Sequence, residues 1–186
     1  MSTASTRSVF LAFALSITLA TSSSATTMRH LDTRALTLGS SDILVGQVEA
    51  VRPRWSADRR KIFTDVDVRI SQSLKGAPAE KITLTQLGGE IDGVKYSVPG
   101  GPLFKPGSEA LLFVWRDAKG QPQVNGLAQG KFDIERDPKT GVAFVVRPAI
   151  ERETLVRRSA AAEQMEPTTA VRLPLEQFVR SVLGEN

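Results

Sequence analysis

The side chains that most often carry out catalysis are scarce in this sequence of 186 residues. It contains one histidine, His30, and no cysteine. His30 lies near the predicted mature N-terminus, outside any group of catalytic residue types, so Ser-His-Asp and Cys-His arrangements are not plausible. One histidine and no cysteine also leave no multi-histidine or thiolate metal site. Asp65 and Asp67 lie two residues apart and could begin a carboxylate site. Because no histidine or third carboxylate is near them in sequence, we interpret them as a solvated strand face. The sequence predicts a protein that is not an enzyme and has no metal or cofactor.

A segment rich in Pro and Gly, Pro99–Gly107, has the composition of a ligand-binding loop. The phosphate-binding fingerprints require G-x-x-x-x-G-K-S/T, or G-x-G-x-x-G between a strand and a helix. The sequence contains neither pattern. We therefore predict a loop of defined shape, and its residues Gly100 and Phe104 are our second choice for a contact surface.

Basic residues are spread along the chain, although the formal net charge is +4. One small cluster lies in the polar segment Arg52–Arg60, which contains Pro53 and predicts a long hairpin loop. This segment supplies our first choice for a contact surface, namely Arg52, Arg54, Trp55, Arg59 and Arg60. Trp55 either stacks on a ligand or covers the open end of the core. Scattered cations favour solubility, or weak attraction to an anionic cell-surface polymer, over nucleic-acid recognition.

The N-terminal segment has the pattern of a secretory signal peptide. Arg7 is its one charged residue, the apolar run Val9–Ala20 follows, and small residues lead to Ala25. A membrane anchor is the alternative, but spanning a bilayer needs roughly 20 apolar residues. We predict that residues 1–25 are cleaved and that the protein is exported to the periplasm or the extracellular space. It then has no stable membrane span.

Two extended runs, Asp42–Val51 and Ile62–Ser71, predict the first strands of a β-meander. In the second run apolar residues alternate with charged ones, which is typical of a strand with one buried and one wet face. Gly46 predicts a bulge or bend in the first strand. Lys81–Leu87 predicts the third strand. The most apolar run, Glu109–Trp115, predicts a strand buried on both faces, with Trp115 in the core.

The rest of the chain predicts further strands and a helix at each end. Residues 131–135 and 142–146 flank the turn Asp137–Gly141 and predict a hairpin. Near the C-terminus the apolar residues have the spacing of an amphipathic helix. We therefore divide the chain into a signal peptide (1–25), an N-terminal helix (26–39), a β-barrel domain (40–147), a linker (148–172) and a C-terminal helix (173–184).

Three short segments, Ser41–Val48, Ser73–Gly76 and Phe104–Phe113, give the chain a resemblance to a known family. Together they resemble the OB-fold-like modules of secreted proteins, typified by tissue inhibitors of metalloproteinases and netrin-type domains. They also resemble uncharacterised bacterial secreted proteins with the same order of elements. The resemblance implies a mainly β fold, an OB-like bent barrel or meander of five to seven strands. Those inhibitors chelate zinc through an N-terminal cysteine, and this chain has none, so no inhibitory residue is carried over.

Three functions are compatible with these observations. The first is an exported, non-catalytic binding or interaction module that contacts an extracytoplasmic protein or a cell-surface polymer. The second, implied by the family resemblance, is a protease-inhibitor-like or protease-associated protein. The third is a barrel that binds a polyanion or an oligosaccharide, with Trp55, Tyr96 and Trp115 as stacking residues.

Overall fold

The computed structural model of the chain describes residues 30–77, 79–149 and 169–185. The predicted signal peptide and residues 150–168 of the predicted linker lie outside these ranges. The described residues form one large antiparallel sheet and a small separate hairpin, with a short helix near each end. This confirms the predicted fold class, mainly β with an N-terminal and a C-terminal helix.

The elements follow one another along the chain without a repeated unit. In order they are α1 (Thr33–Gly39), β1 (Asp42–Trp55), β2 (Ile62–Lys75), β3 (Lys81–Leu87), β4 (Gly89–Ile91), β5 (Val94–Tyr96), β6 (Glu109–Arg116), β7 (Pro122–Val124), β8 (Lys131–Arg136), β9 (Ala143–Arg147), β10 (Val171–Pro174) and α2 (Leu175–Leu183). A single 3-10 turn, Leu127–Gly130, connects β7 to β8. Helix α1 begins at Asp32, whose carboxylate accepts a hydrogen bond from the Ala35 N–H at 2.7 Å.

The large sheet has the strand order β10-β9-β8-β6-β1-β2-β3, and β7 also pairs with β6. Strands β7, β6, β1, β2 and β3 curl around one core, so that Cα atoms of β3 approach those of β7 within 8 Å. We call these five strands the half-barrel. No ladder joins β3 to β7, and the sheet is therefore not closed into a barrel. Strand β7 has three residues and begins with Pro122, which has no N–H to donate, so it offers little backbone for a ladder.

The first part of β1 and most of β6 are buried on both faces, and for β6 this agrees with its apolar run. Leu44 of β1 and Leu112 of β6 point into the half-barrel core, which also contains Val48, Val66, Val68, Leu84, Ala110, Val114 and Val124. Their neighbours Ile43 and Phe113 point to the opposite face, into a second core that α1 and α2 cover. Alternation along a strand thus places successive side chains in two different cores.

Gly46 lies at a bulge in β1, where the register with β2 shifts between Val45 and Gly46. A Cβ atom at this position would lie 2.6 Å from the Arg69 carbonyl oxygen and 2.6 Å from Val68 Cγ1. The bulge predicted from the sequence is confirmed. Glycine is required here because the backbone of β2 passes too close for any side chain.

The prediction of a hairpin loop over Arg52–Arg60 is wrong for the first half of this segment. Strand β1 continues to Trp55 and β2 starts at Ile62, so the connection is short. Beyond Gln47 the second edge of β1 has no partner strand, and Pro53 is tolerated there.

Two further predictions are corrected by long-range contacts. Trp115, expected in the core, is 39% exposed, because β1 pairs with β6 only as far as Val114 and Trp115 extends beyond it. The C-terminal part of the predicted linker contains β10, in which Val171 pairs with Arg147 of β9. The four residues of β10 alternate too weakly between apolar and polar side chains to predict a strand from the sequence. They form a strand because their backbone hydrogen-bonds to that of β9.

The C-terminal helix α2 packs on the body of the same chain. Phe178 is buried, and its ring centroid lies 4.7 Å from that of Phe132 and 6.4 Å from that of Phe113. The helix ends at Gly184, which has φ 76° and closes the last turn. Among the described helices, α1 and α2, neither has the length and apolar character that crossing a membrane requires.

Replacing the buried aromatic residue of α2 should destabilise the fold. We expect Phe178→Ala to lower the free energy of unfolding by about 3–5 kcal/mol, because a buried ring and its two aromatic contacts are removed. Gln177→Ala, an exposed change in the same helix, should stay within about 0.5 kcal/mol of the wild type. Urea unfolding followed by circular dichroism measures both values. Equal stability of the two variants would show that α2 is not docked in solution.

Candidate binding site

A cavity of about 280 Å³ lies at the end of the half-barrel where β2 begins and β3 ends. Its floor consists of inward-facing side chains, Val51 of β1, Thr64 and Val66 of β2 and Gln86 of β3. Its walls are the β4–β5 hairpin and the loop of residues 97–104. We call this cavity the mouth. Its volume is close to the lower end of the range for small-molecule sites, about 300–1,000 Å³.

Of our second choice of contact residues, Phe104 lies in the loop wall, whereas Gly100 lies in the same loop but does not line the mouth. Phe104 lines the mouth and packs against the half-barrel core, and the Lys131 ammonium lies 5.5 Å from its ring centroid. Gly100 has φ 69°, and its carbonyl accepts a hydrogen bond from the Ala128 N–H at 2.9 Å. Gly100 therefore anchors the loop to the 3-10 turn, while Phe104 contributes side-chain surface to the cavity.

The rim of the mouth exposes apolar side chains. Leu103 is 87% exposed although it lines the cavity. Leu87 and Tyr96 line it too and are partly exposed, and Val94 is exposed in the same hairpin. Scattered exposed leucines are common on protein surfaces. A group of them around a preformed cavity is typical of a contact site.

The floor of the mouth contains a polar atom without a partner. The Gln86 side-chain nitrogen Nε2 is buried and makes no hydrogen bond. Thr64, directly across the ladder, donates its hydroxyl to the Gly88 carbonyl at 2.7 Å. An unpaired buried donor costs about 1–3 kcal/mol.

Gln86 is absent from the contact residues predicted by sequence, although a signal for it exists. It has the strand parity of Ile82 and Leu84, which point into the half-barrel core. A glutamine at an inward position of an alternating strand is a polar residue where the pattern requires an apolar one. Tyr96 and Leu103 carry no comparable signal, because the loop and hairpin that bring them to the mouth have no sequence period.

Arg52 and Arg54, from our first choice of contact residues, lie on the outer face of the sheet and pair with carboxylates. Arg52 donates two hydrogen bonds to Asp67, of which Nη2 to Oδ1 is 2.8 Å. Arg54 Nε donates to Asp65 Oδ2 at 2.6 Å. These pairs form the charge ladder, together with Thr83, Thr85, Glu49, Arg69 and Lys81. Asp65 and Asp67 lie on the outer, solvent-facing side of β2, as interpreted from the sequence, and both are in addition partly buried and ion-paired there.

The charge ladder changes the acidity of its members. Hydrogen bonding from Arg52 holds the pKa of the Asp67 carboxyl below its usual value, and Thr83 contributes in the same direction. The same pair raises the pKa of Arg52. Lys81, and then Arg69, lower the pKa of Glu49. Asp67 and Glu49 are therefore stabilised in their charged forms by neighbours on other strands.

The remaining residues of the first choice lie at the tip of the β1–β2 hairpin. The Arg59 guanidinium lies 5.8 Å from the centre of the Trp55 ring, and Arg60 is 4.0 Å from Asp58 with its side chain 84% exposed. Trp55 is partly buried, and its Nε1 is buried without a hydrogen-bond partner. None of these residues lines the mouth.

Among the residues that the structure describes, no group of three or more His, Cys, Asp or Glu side chains could hold a metal ion.

The charge ladder predicts a pH-dependent contribution to stability. Asp67→Asn should lower the free energy of unfolding by about 0.5–1 kcal/mol at neutral pH, where the ion pair with Arg52 is intact. Because the pKa of Asp67 is lowered in the fold, its contribution is complete above the unfolded pKa of about 3.9 and is lost as pH falls through the folded pKa. The variant and the wild type should therefore converge in strong acid.

Urea unfolding at pH 7, 5 and 2.5 tests this expectation. Glu80→Gln is the matched control, because Glu80 is an exposed carboxylate just before β3 that forms no ion pair among the described residues. The control should differ little from the wild type at each pH. A loss for Asp67→Asn that stays the same down to pH 2.5 would show that the carboxylate charge is not its cause.

Removing the unpaired amide should stabilise the protein. We expect Gln86→Leu to raise the free energy of unfolding by about 1 kcal/mol, because it replaces a buried unpaired donor by an apolar group of similar size. Thermal and urea unfolding measure the change. Gln72→Leu on β2 is the control, because Gln72 is exposed, and it should stay within about 0.5 kcal/mol. Destabilisation by Gln86→Leu would show that the amide has a partner in solution.

No protein-family model, no curated protein and no solved structure matches this chain. The resemblance to the netrin-type modules is accordingly not confirmed beyond a mainly β sheet fold. The geometry of the mouth and the pattern of its side chains are what the functional argument rests on.

Proposed function

We propose that this protein is an exported, non-catalytic binding module that contacts an extracytoplasmic protein through the mouth of its half-barrel. The observation that carries the proposal is the convergence of exposed apolar side chains, Leu87, Tyr96 and Leu103, around a preformed cavity. Export follows from the signal-peptide pattern of residues 1–25. An apolar side chain of the partner enters the cavity, and the rim leucines are covered by the partner's surface.

The comparison of two exposed leucines supports this location. Leu38 is 73% exposed at the end of α1 and does not line the mouth. Leu103 is more exposed still and stands beside Phe104 at the mouth. The first is the kind of isolated apolar residue that most surfaces contain, whereas the second belongs to a cluster that a partner can bury.

The wall of the mouth is held in place before any partner arrives. Besides the Gly100 contact, the Gly107 N–H donates to the Val48 carbonyl at 2.8 Å. The Gly101 N–H donates to the Val98 carbonyl at 3.0 Å and closes a turn within the loop. A loop fixed at several points loses little conformational entropy on binding, so more of the contact energy appears as affinity.

The two other functions compatible with the sequence receive less support. A polyanion site would use Arg52, Arg54, Arg59 and Arg60, but the first two are engaged by Asp67 and Asp65. An inhibitor related to the netrin-type modules would need a zinc-binding group, and the chain has no cysteine. The mouth is therefore the better-supported contact surface.

Substituting the exposed rim leucine should abolish partner binding. We expect Leu103→Asp to reduce capture of the partner at least about tenfold, because a charge would have to be buried in an apolar contact. Leu38→Asp is the matched control and should capture the partner as the wild type does. Immobilised mature protein, residues 26–186, is exposed to the envelope and culture fluid of its host, and bound proteins are quantified by mass spectrometry.

The same experiment separates the competing functions. Because Leu103 is exposed, both variants should keep the wild-type unfolding free energy within about 0.5 kcal/mol. Equal capture by wild type, Leu103→Asp and Leu38→Asp would contradict the proposal. Retention that salt removes, and that Arg59→Ala with Arg60→Ala abolishes, would instead indicate a polyanion ligand.

A further inference from the structure

We infer that the turn between β1 and β2 is a second contact surface, which binds a polymer with closely spaced anionic groups. We call residues 56–61 the hairpin tip. None of them lines the mouth, so this surface goes beyond the proposed function and does not depend on the mouth. Three properties of the hairpin tip suit it to such a ligand, namely its position, its unpaired cations and its fixed shape.

The hairpin tip projects beyond the strands on both sides of the hairpin. On one side, β6 pairs with β1 only as far as Gln47. On the other side, the ladder between β2 and β3 ends at Phe63. Residues 57–61 are all exposed. A long polymer can therefore contact the hairpin tip without having to enter a cleft of the body.

The hairpin tip contains three consecutive cations, Arg59, Arg60 and Lys61. Among the described residues, Arg59 and Lys61 form no ion pair, and Arg60 has one long contact, 4.0 Å from its Nε to Asp58 Oδ2. The arginines of the charge ladder in the same hairpin are instead bound closely by carboxylates of β2. The cations of the hairpin tip are therefore the ones that remain for an anionic ligand.

Asp58, the one acidic residue of the hairpin tip, is engaged by the turn itself. Its Oδ1 accepts hydrogen bonds from the Ser56 hydroxyl at 2.6 Å and from the Arg60 N–H at 3.2 Å. These bonds, that of Ser56 above all, hold the pKa of the Asp58 carboxyl below its usual value. One carboxylate reduces the positive potential of three cations but does not cancel it.

The shape of the hairpin tip is fixed before a ligand binds. The Ser56 N–H donates to the Lys61 carbonyl at 2.8 Å, and the Lys61 N–H donates to the Ser56 hydroxyl at 3.0 Å. The Arg59 N–H donates to the Ser56 carbonyl at 2.8 Å, and its guanidinium is held against the Trp55 ring. Because the turn is already ordered, little conformational entropy is lost when it binds a ligand.

A flexible polymer suits this surface better than a lipid bilayer does. Residues 57–61 include no large apolar side chain that could insert between lipids. Stable attachment to a membrane takes two signals, and a basic cluster supplies only one of them. A polymer offers many overlapping sites along its length, and each cation that it neutralises releases counterions.

Fluorescence anisotropy of labelled polymers, titrated with the mature chain of residues 26–186, tests the inference. The probes are long-chain polyphosphate, poly-L-glutamate and neutral dextran. We expect both polyanions to bind, and their affinity to fall at least about tenfold between about 50 and 200 mM salt, because three neutralised cations release their counterions. Dextran should not bind. The polyanion that binds more tightly shows whether phosphate or carboxylate is the preferred acidic group.

Two triple variants separate the hairpin tip from net charge. Arg59→Ser with Arg60→Ser and Lys61→Ser should weaken polyanion binding at least about tenfold at 50 mM salt and reduce the salt slope by about 2. The matched control removes three exposed cations from other loops, none of them ion-paired in the described part of the chain. It consists of Lys105→Ser, Lys119→Ser and Lys139→Ser. This control loses the same net charge and should bind as the wild type does.

A single variant keeps the test valid if the triple variant of the hairpin tip fails to fold. The Arg60 side chain is 84% exposed, so Arg60→Ser should leave the melting temperature unchanged. It should weaken polyanion binding about two- to threefold, because one of three cations is lost. Thermal unfolding of every variant shows that it is folded at the temperature of the titration.

Three results would overturn the inference. Equal weakening by the two triple variants would assign the binding to net charge alone. Binding to neither polyanion would exclude a polymer ligand, and binding to phosphatidylglycerol vesicles but to neither polyanion would assign the hairpin tip to a membrane surface. Failure here is distinct from failure of the mouth. Leu103→Asp should bind the polyanions as the wild type does, and the triple variant of the hairpin tip should still capture the partner protein.

Discussion

The double-sided burial of β1 and β6 is the constraint on which the rest of the structure depends. Each strand contributes alternate side chains to two cores, Leu44 and Leu112 to one, Ile43 and Phe113 to the other. Both faces must then be covered, because uncovered apolar area costs roughly 25 cal/mol for each Å². On one face the helices α1 and α2 supply the cover. On the other face the sheet covers itself by curling, and the Gly46 bulge gives β1 the bend that this requires.

The mouth is a consequence of that curl remaining incomplete. A closed barrel would surround its inward-facing residues with further strands, whereas here β3 and β7 approach without pairing. The inward positions at the open end are covered instead by the β4–β5 hairpin and by loop 97–104. Such a cover leaves a cavity, and an exposed leucine, Leu103, and the buried, unpaired amide of Gln86 belong to residues that line it. Exposed apolar side chains and buried polar groups without hydrogen bonds occur most often at the functional sites of proteins.

The outer face of the half-barrel follows a different rule. Arginines of β1 meet aspartates of β2, and threonines of β3 donate to the same carboxylates. Exposed pairs of this type contribute little energy individually. Together, the pairs across the three strands favour one strand register over a shifted one. A slip by one residue would turn the charged side chains toward the core and the apolar side chains toward solvent. The cations of this segment thus stabilise strand pairing, which leaves fewer of them for a ligand.

The sequence by itself determined the features that depend on neighbours along the chain. Alternation gave β2 its buried and wet faces, Pro and Gly marked the turn Asp137–Gly141, and the spacing of apolar residues marked α2. The loop Pro99–Gly107 was also recognisable, and its Phe104 is at the candidate site. Local periodicity and turn chemistry suffice for these because the interacting residues are close in sequence.

Only the tertiary structure decided what depends on register between distant segments. Arg52 is a strand residue because Asp65 lies opposite it on β2 and Asp67 lies in the diagonal position. Trp115 is exposed because β1 ends before it, and β10 exists because β9 is there to pair with it. The unpaired state of Gln86 and the opening between β3 and β7 are likewise set by contacts between residues far apart in the chain. No local pattern encodes such contacts, since their energies depend on which strands meet and at which residue.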